Sequence, residues 1–135
     1  MKFIKWDESY SVNIEEIDAQ HQWLTDIINT LHEELQENKS KLLIGIIVKS
    51  LMQYIQVHFQ TEEGLMKKFN YPDYETHKIQ HKELEQKVLG WSDSFLRGKL
   101  VLTNEMLEFL KSWLENHEIT VDRPLGLFLN SHGLR

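Results

Sequence analysis

His58 and Glu62 stand four residues apart, and so do His77 and His81. On a helix this spacing projects two donor atoms from one turn toward a common point, as two ligands of one metal must be projected. His21 and His117 fall on apolar stripes of their own. A lone histidine on such a face is more often a hydrogen-bonded core residue than a ligand. Five of the seven histidines on inward stripes is a different situation, because five neutral imidazoles would each need a separate buried partner. Metal binding satisfies all of them at once.

Asp122 follows His117 by five residues, which on a straight helix turns it roughly 140° away. Taken alone it reads as a helix-end or loop carboxylate. A π-type bulge or local unwinding, favoured by β-branched Thr120 and Val121 and by Pro124, would bring it inward. The inventory is then five imidazoles and two carboxylates, more donors than one tetrahedral ion can use. Two metal ions fit better. With no cysteine in the chain, ligation is by nitrogen and oxygen only, which suits iron or manganese more than structural zinc. The Glu-x-x-His motif of ferritin-like di-iron proteins is absent, and so is HExxH, so neither of those readings holds.

The elements that must carry these residues are helices. Ile17, His21, Leu24, Ile28, Leu31 and Leu35 follow a 4, 3, 4, 3, 4 rhythm, and Ile44, Ile47, Leu51, Ile55, His58, Glu62 and Leu65 continue it in a second segment. Tyr74, His77, His81, Leu84, Val88, Trp91 and Phe95 make a third stripe, opened by Asn70-Tyr71-Pro72-Asp73 and closed at Gly98. Met106, Leu110, Trp113 and His117 make a fourth, after Thr103 as N-cap and before Arg123-Pro124, expected to stop regular helix. The predicted helices span about 17–37, 42–67, 73–97 and 103–118. The links Glu37-Asn38-Lys39-Ser40 and Arg97-Gly98-Lys99 are short enough for antiparallel neighbours. The expected fold is all-α, an antiparallel up-down-up-down four-helix bundle in one domain, with residues 1–16 as an irregular arm whose Phe3, Ile4, Trp6 and Tyr10 cover one flank.

One hundred and thirty-five residues leave no room for separate catalytic and binding domains. A formal charge of −6 has the wrong sign for neutralising nucleic-acid phosphates or docking on an anionic membrane, so neither is an expected partner. The longest apolar run, Leu42 to Val48, falls far short of a membrane span, and the N-terminal residues carry no signal-like segment. The expected location is the cytoplasm. His32 and His132 are expected at the surface, and Met52, Met66 and Met106 as core filler. Trp113, one turn before His117, either walls the metal pocket or simply packs.

The series His21, His58-Phe59-Gln60-Thr61-Glu62, His77-Lys78-Ile79-Gln80-His81 and His117 with Asp122 resembles the signature of the hemerythrins, particularly the bacterial ones. The flanks Ile17-Asp18-Ala19-Gln20-His21, Glu62-Glu63-Gly64-Leu65-Met66 and Trp113-Leu114-Glu115-Asn116-His117 are similar too, so the likeness covers about residues 6 to 128. The resemblance implies two iron ions joined by an oxo or hydroxo bridge. His77, His81 and His117 would complete one iron, His21 and His58 would hold the other, and Glu62 and Asp122 would bridge them. Dioxygen, or peroxide or another small anion, would bind at the open position on the two-histidine iron. The implied role is an oxygen-binding protein, for transport, storage or sensing, rather than an enzyme.

Residue 118 departs from that pattern, since the family usually has an apolar residue there and this chain has Glu118. One reading is a solvated carboxylate at a fraying helix end. The sharper one puts Glu118 in the oxygen pocket as an acid/base group or extra iron ligand, turning the site toward peroxidase or oxidase chemistry. A third function is a sensing domain whose iron or oxygen occupancy changes a surface. No protein partner is indicated.

Overall fold

The computed structural model describes residues 2–38, 40–98 and 101–135. Lys39 and Lys99, read above as parts of the links, lie outside the described residues. Four long helices form the bundle: α1 (Glu15–Gln36), α2 (Lys41–Lys68), α3 (Tyr74–Leu96) and α4 (Asn104–His117). Thr103 accepts a hydrogen bond from the Met106 amide and Ser40 from that of Leu43, so α4 and α2 start on side-chain caps. α2 ends where Asn70 takes a left-handed conformation (φ 55°) and the Tyr71 amide returns to the Met66 carbonyl, the hydrogen bond that closes a Schellman turn. Among the described residues α2 is the one helix long and apolar enough, by length and composition only, to cross a membrane. In the bundle it lies against α1 and α3, with Leu51, Ile55 and Phe59 buried among them.

Regular helix does not stop at Arg123-Pro124. After His117 the chain makes a π turn, Glu118–Asp122, in which the Arg123 amide reaches back to the Glu118 carbonyl, and then continues as α5 (Arg123–Ser131). Pro124 sits in the first turn of α5, where a residue without an N–H costs no helical hydrogen bond. The fourth stripe also turns slightly from the predicted one. Leu107, Leu110 and Leu114 are buried, while Met106 and Trp113 pack at its edge.

The arm is shorter than predicted, giving way to α1 at Glu15, and it contains a single 3-10 turn, Glu8–Tyr10. It covers one flank as expected. Ile4 is buried and exchanges two backbone hydrogen bonds with the Asn29 side chain. Phe3 stacks on His32 at 4.3 Å, which leaves His32 half-buried rather than at the surface. Val12 lies so close to Gly126 of α5 that a Cβ there would collide with its carbonyl oxygen.

The apolar interior is in two parts. A large cluster from Ile4 to Leu114 fills most of the bundle, and a smaller one joins Val12, Ile14, Ile17, Met66, Leu125 and Leu129. Buried histidines and carboxylates fall between the two along α1, α2 and the end of α4. His21 lies between Ile17 and Leu24, Glu62 between Phe59 and Met66, and His117 with Asp122 between Leu114 and Leu125.

Candidate metal centre

The intervening layer is fully enclosed: His21, His58, Glu62, His77, His81, His117 and Asp122 are each 4% exposed or less. The helical spacing explains six of these placements. The π turn explains the seventh, because its extra residue per turn brings position +5 onto the face that +4 would occupy in an α-helix. Asp122 is thus an inward residue, not the helix-end carboxylate it resembles when read alone.

The geometry divides around the two carboxylates. Glu62 Oε1 lies 3.0 Å from His81 Nε2 and 3.4 Å from His77 Nε2, while Oε2 lies 3.4 Å from His58 Nε2 and 3.7 Å from His21 Nε2. Asp122 splits in the same sense. Its Oδ1 is 3.0 Å from both His77 Nε2 and His117 Nε2, and its Oδ2 is 3.0 Å from His21 Nε2. Two overlapping donor groups result, Glu62-His77-His81-His117-Asp122 and His21-His58-Glu62-Asp122, each with its ligand atoms within 4.8 Å of one another.

The outer ring nitrogens determine which edge faces inward. His58 Nδ1–H donates to Gln20 Oε1 at 2.6 Å, His81 Nδ1–H to Glu63 Oε2 at 3.0 Å, and His117 Nδ1–H to Gln80 Oε1 at 3.2 Å. Gln20 is itself oriented by donating through Nε2 to Thr61 Oγ1. These tautomers leave Nε2 as a lone pair aimed at the centre. In the sequence Gln20 and Glu63 stand out only as flanks of the signature, and Gln80 only as an intervening residue between His77 and His81. The available signal was their position, each beside a histidine or glutamate of the stripe, where a side chain leans toward the neighbouring helix.

Such a centre fits cations and little else. With both Nδ1 atoms donating outward, His81 Nε2 and His117 Nε2 present two lone pairs to each other at 3.2 Å. All four oxygens of Glu62 and Asp122, and both nitrogens of His21 and His77, are buried without a hydrogen bond of acceptable geometry. Leaving that many polar atoms unpaired costs on the order of 1–3 kcal/mol each. Without metal, protons take up part of the mismatch. Burial alone lowers the basicity of His21 and His77, yet the adjacent carboxylates outweigh it and raise both to about 9. Burial dominates at His58, which falls to about 4. Burial and mutual repulsion oppose ionisation of Glu62 and Asp122, but the ring of imidazoles holds both below the usual carboxylate range.

Aromatic rings close the three-histidine side. Phe59 stacks on His81 at 3.7 Å and Trp113 on His117 at 4.4 Å, so Trp113 does wall the layer. Glu118 is buried too, but it does not reach the inward nitrogens. Its Oε1 lies 3.4 Å from Nδ1 of His21, the edge that faces away from Glu62 and Asp122, and neither donor group includes it. This placement does not favour the expected role of Glu118 as an extra iron ligand. At its fifth residue the π turn carries Asp122 inward, while at its first residue it leaves Glu118 behind the His21 ring.

The model of the hemerythrin HHE cation-binding domain matches residues 12–118. The chain belongs to the hemerythrin family. The matched span stops short of Asp122, whose place in the centre is therefore read from the π turn and the distances above. A bacteriohemerythrin of Methylococcus capsulatus is 29% identical over 97% of this chain and all of its own length. A hemerythrin-like protein of Naegleria gruberi is 31% identical over 83% of this chain and 82% of its own. A crystal structure of wild-type hemerythrin superposes with a TM-score of 0.89 at 28% identity, covering 94% of this chain and 98% of that one. Hemerythrin domains bind a di-iron centre, and at that general level this is a di-iron, dioxygen-binding protein with a donor layer able to hold two metals.

Proposed function

We propose that this hemerythrin binds dioxygen reversibly, as a carrier or store, on the two-histidine side of its metal pair. Glu62 and Asp122 would bridge the irons, His77, His81 and His117 would complete one, and His21 and His58 the other. The observation that carries this reading is the division of the carboxylate oxygens between three imidazoles on one side and two on the other, which gives the second iron one protein donor fewer. When bound, the two ferrous ions supply the two electrons that dioxygen takes up on binding.

The chain supplies the surroundings. Gln20, Glu63 and Gln80 hold the outer protons so that the Nε2 edges stay available. Phe59 and Trp113 keep water from the three-histidine side. Glu118, the candidate acid, faces the outer edge of His21 and so does not stand where a bound oxygen molecule would accept a proton. Both features favour return of the electrons and release of intact dioxygen over its further reduction.

The test is anaerobic loading with ferrous iron, followed by iron analysis and visible absorption as oxygen is admitted and withdrawn. About two irons per chain, uptake of about one oxygen molecule per pair and loss of the new bands on lowering oxygen are expected. Fewer irons, or uptake that does not reverse, would overturn the reading. His77→Ala should prevent full loading, because it strips one imidazole from the crowded side.

A further inference from the structure

Glu118 is a buried carboxylate to which the oxygen-binding reading gives no task. It is 2% exposed, its Oε1 has no hydrogen bond, and the nearest basic atom is His21 Nδ1 at 3.4 Å, which has none either. On the opposite edge of the same ring, Nε2 faces Asp122 Oδ2 at 3.0 Å and Glu62 Oε2 at 3.7 Å. The relation repeats what the other helices do. Gln20 stands behind His58, Glu63 behind His81 and Gln80 behind His117, each with an oxygen on the outer nitrogen. Glu118 occupies the corresponding place behind His21. Two of those acceptors are neutral amides, and the carboxylate of Glu63 is 22% exposed. In the metal-free layer burial, opposed by His21 but reinforced by Asp122 and Glu62, pushes the Glu118 carboxyl up to about 8. Its charge therefore belongs to the metal-loaded protein, where cations favour ionisation and it is screened least of the set.

We propose that Glu118 is the positioning residue of the two-histidine metal site, accepting the Nδ1 proton of His21 so that Nε2 is presented to the metal and a negative charge stands behind that ligand. This rests on His21 being a ligand, as proposed above. A carboxylate behind a metal-bound imidazole fixes the tautomer and makes the ring a stronger donor. It therefore tightens metal binding and favours the more highly charged ferric state at the iron that meets oxygen. The role is distinct from direct ligation, which the placement of Oε1 on the outer edge of the ring opposes.

Zinc is a suitable probe because it is redox-silent and allows histidine ring protons to be followed by NMR in ¹⁵N-labelled protein. The wild-type chain should bind two zinc ions and show a slowly exchanging, downfield His21 Nδ1–H. Glu118→Gln keeps shape and acceptor without the charge, and should move that resonance upfield. Glu118→Leu should abolish its protection and weaken zinc at one of the two sites by about tenfold or more, the usual cost of losing such a partner. In the iron-loaded protein the reduction potential should rise from wild type to Glu118→Gln to Glu118→Leu. Far-UV circular dichroism checks that both variants stay helical, and Glu118→Gln alone suffices for the NMR comparison if the leucine variant does not fold. An unchanged His21 resonance and unchanged zinc affinity in the variants would overturn the proposal while leaving the ligand assignment intact. So would a cobalt(II) spectrum showing a lower coordination number in Glu118→Gln, since Glu118 would then be a direct ligand. Wild-type protein that binds fewer than two zinc ions would overturn the His21 assignment and this role with it.

Discussion

Tyr10 ties the arm to α4 with one strong contact, donating its phenol proton to Glu115 Oε2 at 2.6 Å. That hydrogen bond, reinforced by partial burial, pushes its pKa up to about 12, from an ordinary value of 10.0. The folded chain thus keeps a proton that the unfolded chain gives up at lower pH. Below about pH 10 the contact contributes fully, and between about 10 and 12 stability falls as pH rises. Tyr10→Phe should cost about 1 kcal/mol at neutral pH, a charge-assisted bond discounted for its partial exposure. It should also flatten the alkaline loss relative to wild type. Urea midpoints for both proteins from neutral to strongly alkaline pH provide the check, and parallel curves would show that the phenol does not hold its proton. The inward imidazoles of His58, His77 and His81 were legible in the sequence because each lies on a stripe with period 3.6. The direction taken by Glu118 was not, since its identity shows that a carboxylate is present but not which edge of His21 it meets.

At the scale of elements, periodicity located α1 to α4 to within a residue or two, since long amphipathic helices repeat their signal many times. It failed at the end of α4 for a physical reason. Pro124 removes one N–H and crowds the preceding turn, which ends a helix unless the turn is already widened, and the π turn widens it. The same extra residue that makes proline tolerable brings Asp122 to the centre, so one local departure answers both puzzles. α5 in turn depends on Gly126, because the Val12 backbone occupies the space a side chain would need. Gly126→Ala should destabilise the protein by about 1–3 kcal/mol through forced displacement of the arm. Thermal unfolding would show this as a lower midpoint, with iron loading reduced if the π turn shifts as well. An unchanged midpoint would mean that the arm yields without cost.

Across the whole molecule, the layered interior makes metal a structural component as well as a functional one. Two apolar clusters meet at a plane of imidazoles and carboxylates that have few partners other than cations. Chelation of iron should therefore lower the unfolding midpoint markedly, by several degrees or more, and re-addition should restore it. Differential scanning calorimetry of loaded, stripped and reloaded protein measures this directly, and equal midpoints would show that the layer is content without metal. The donors of this plane come from positions 21 to 122 and from every long helix. So many distant segments converge only once the helices have docked, which makes the plane a late arrival on the folding route. Iron should then act as a brake on escape from the native state rather than an aid to reaching it. In stopped-flow experiments the unfolding rate should drop on loading, while the refolding rate of the stripped chain stays the same whether or not iron is present.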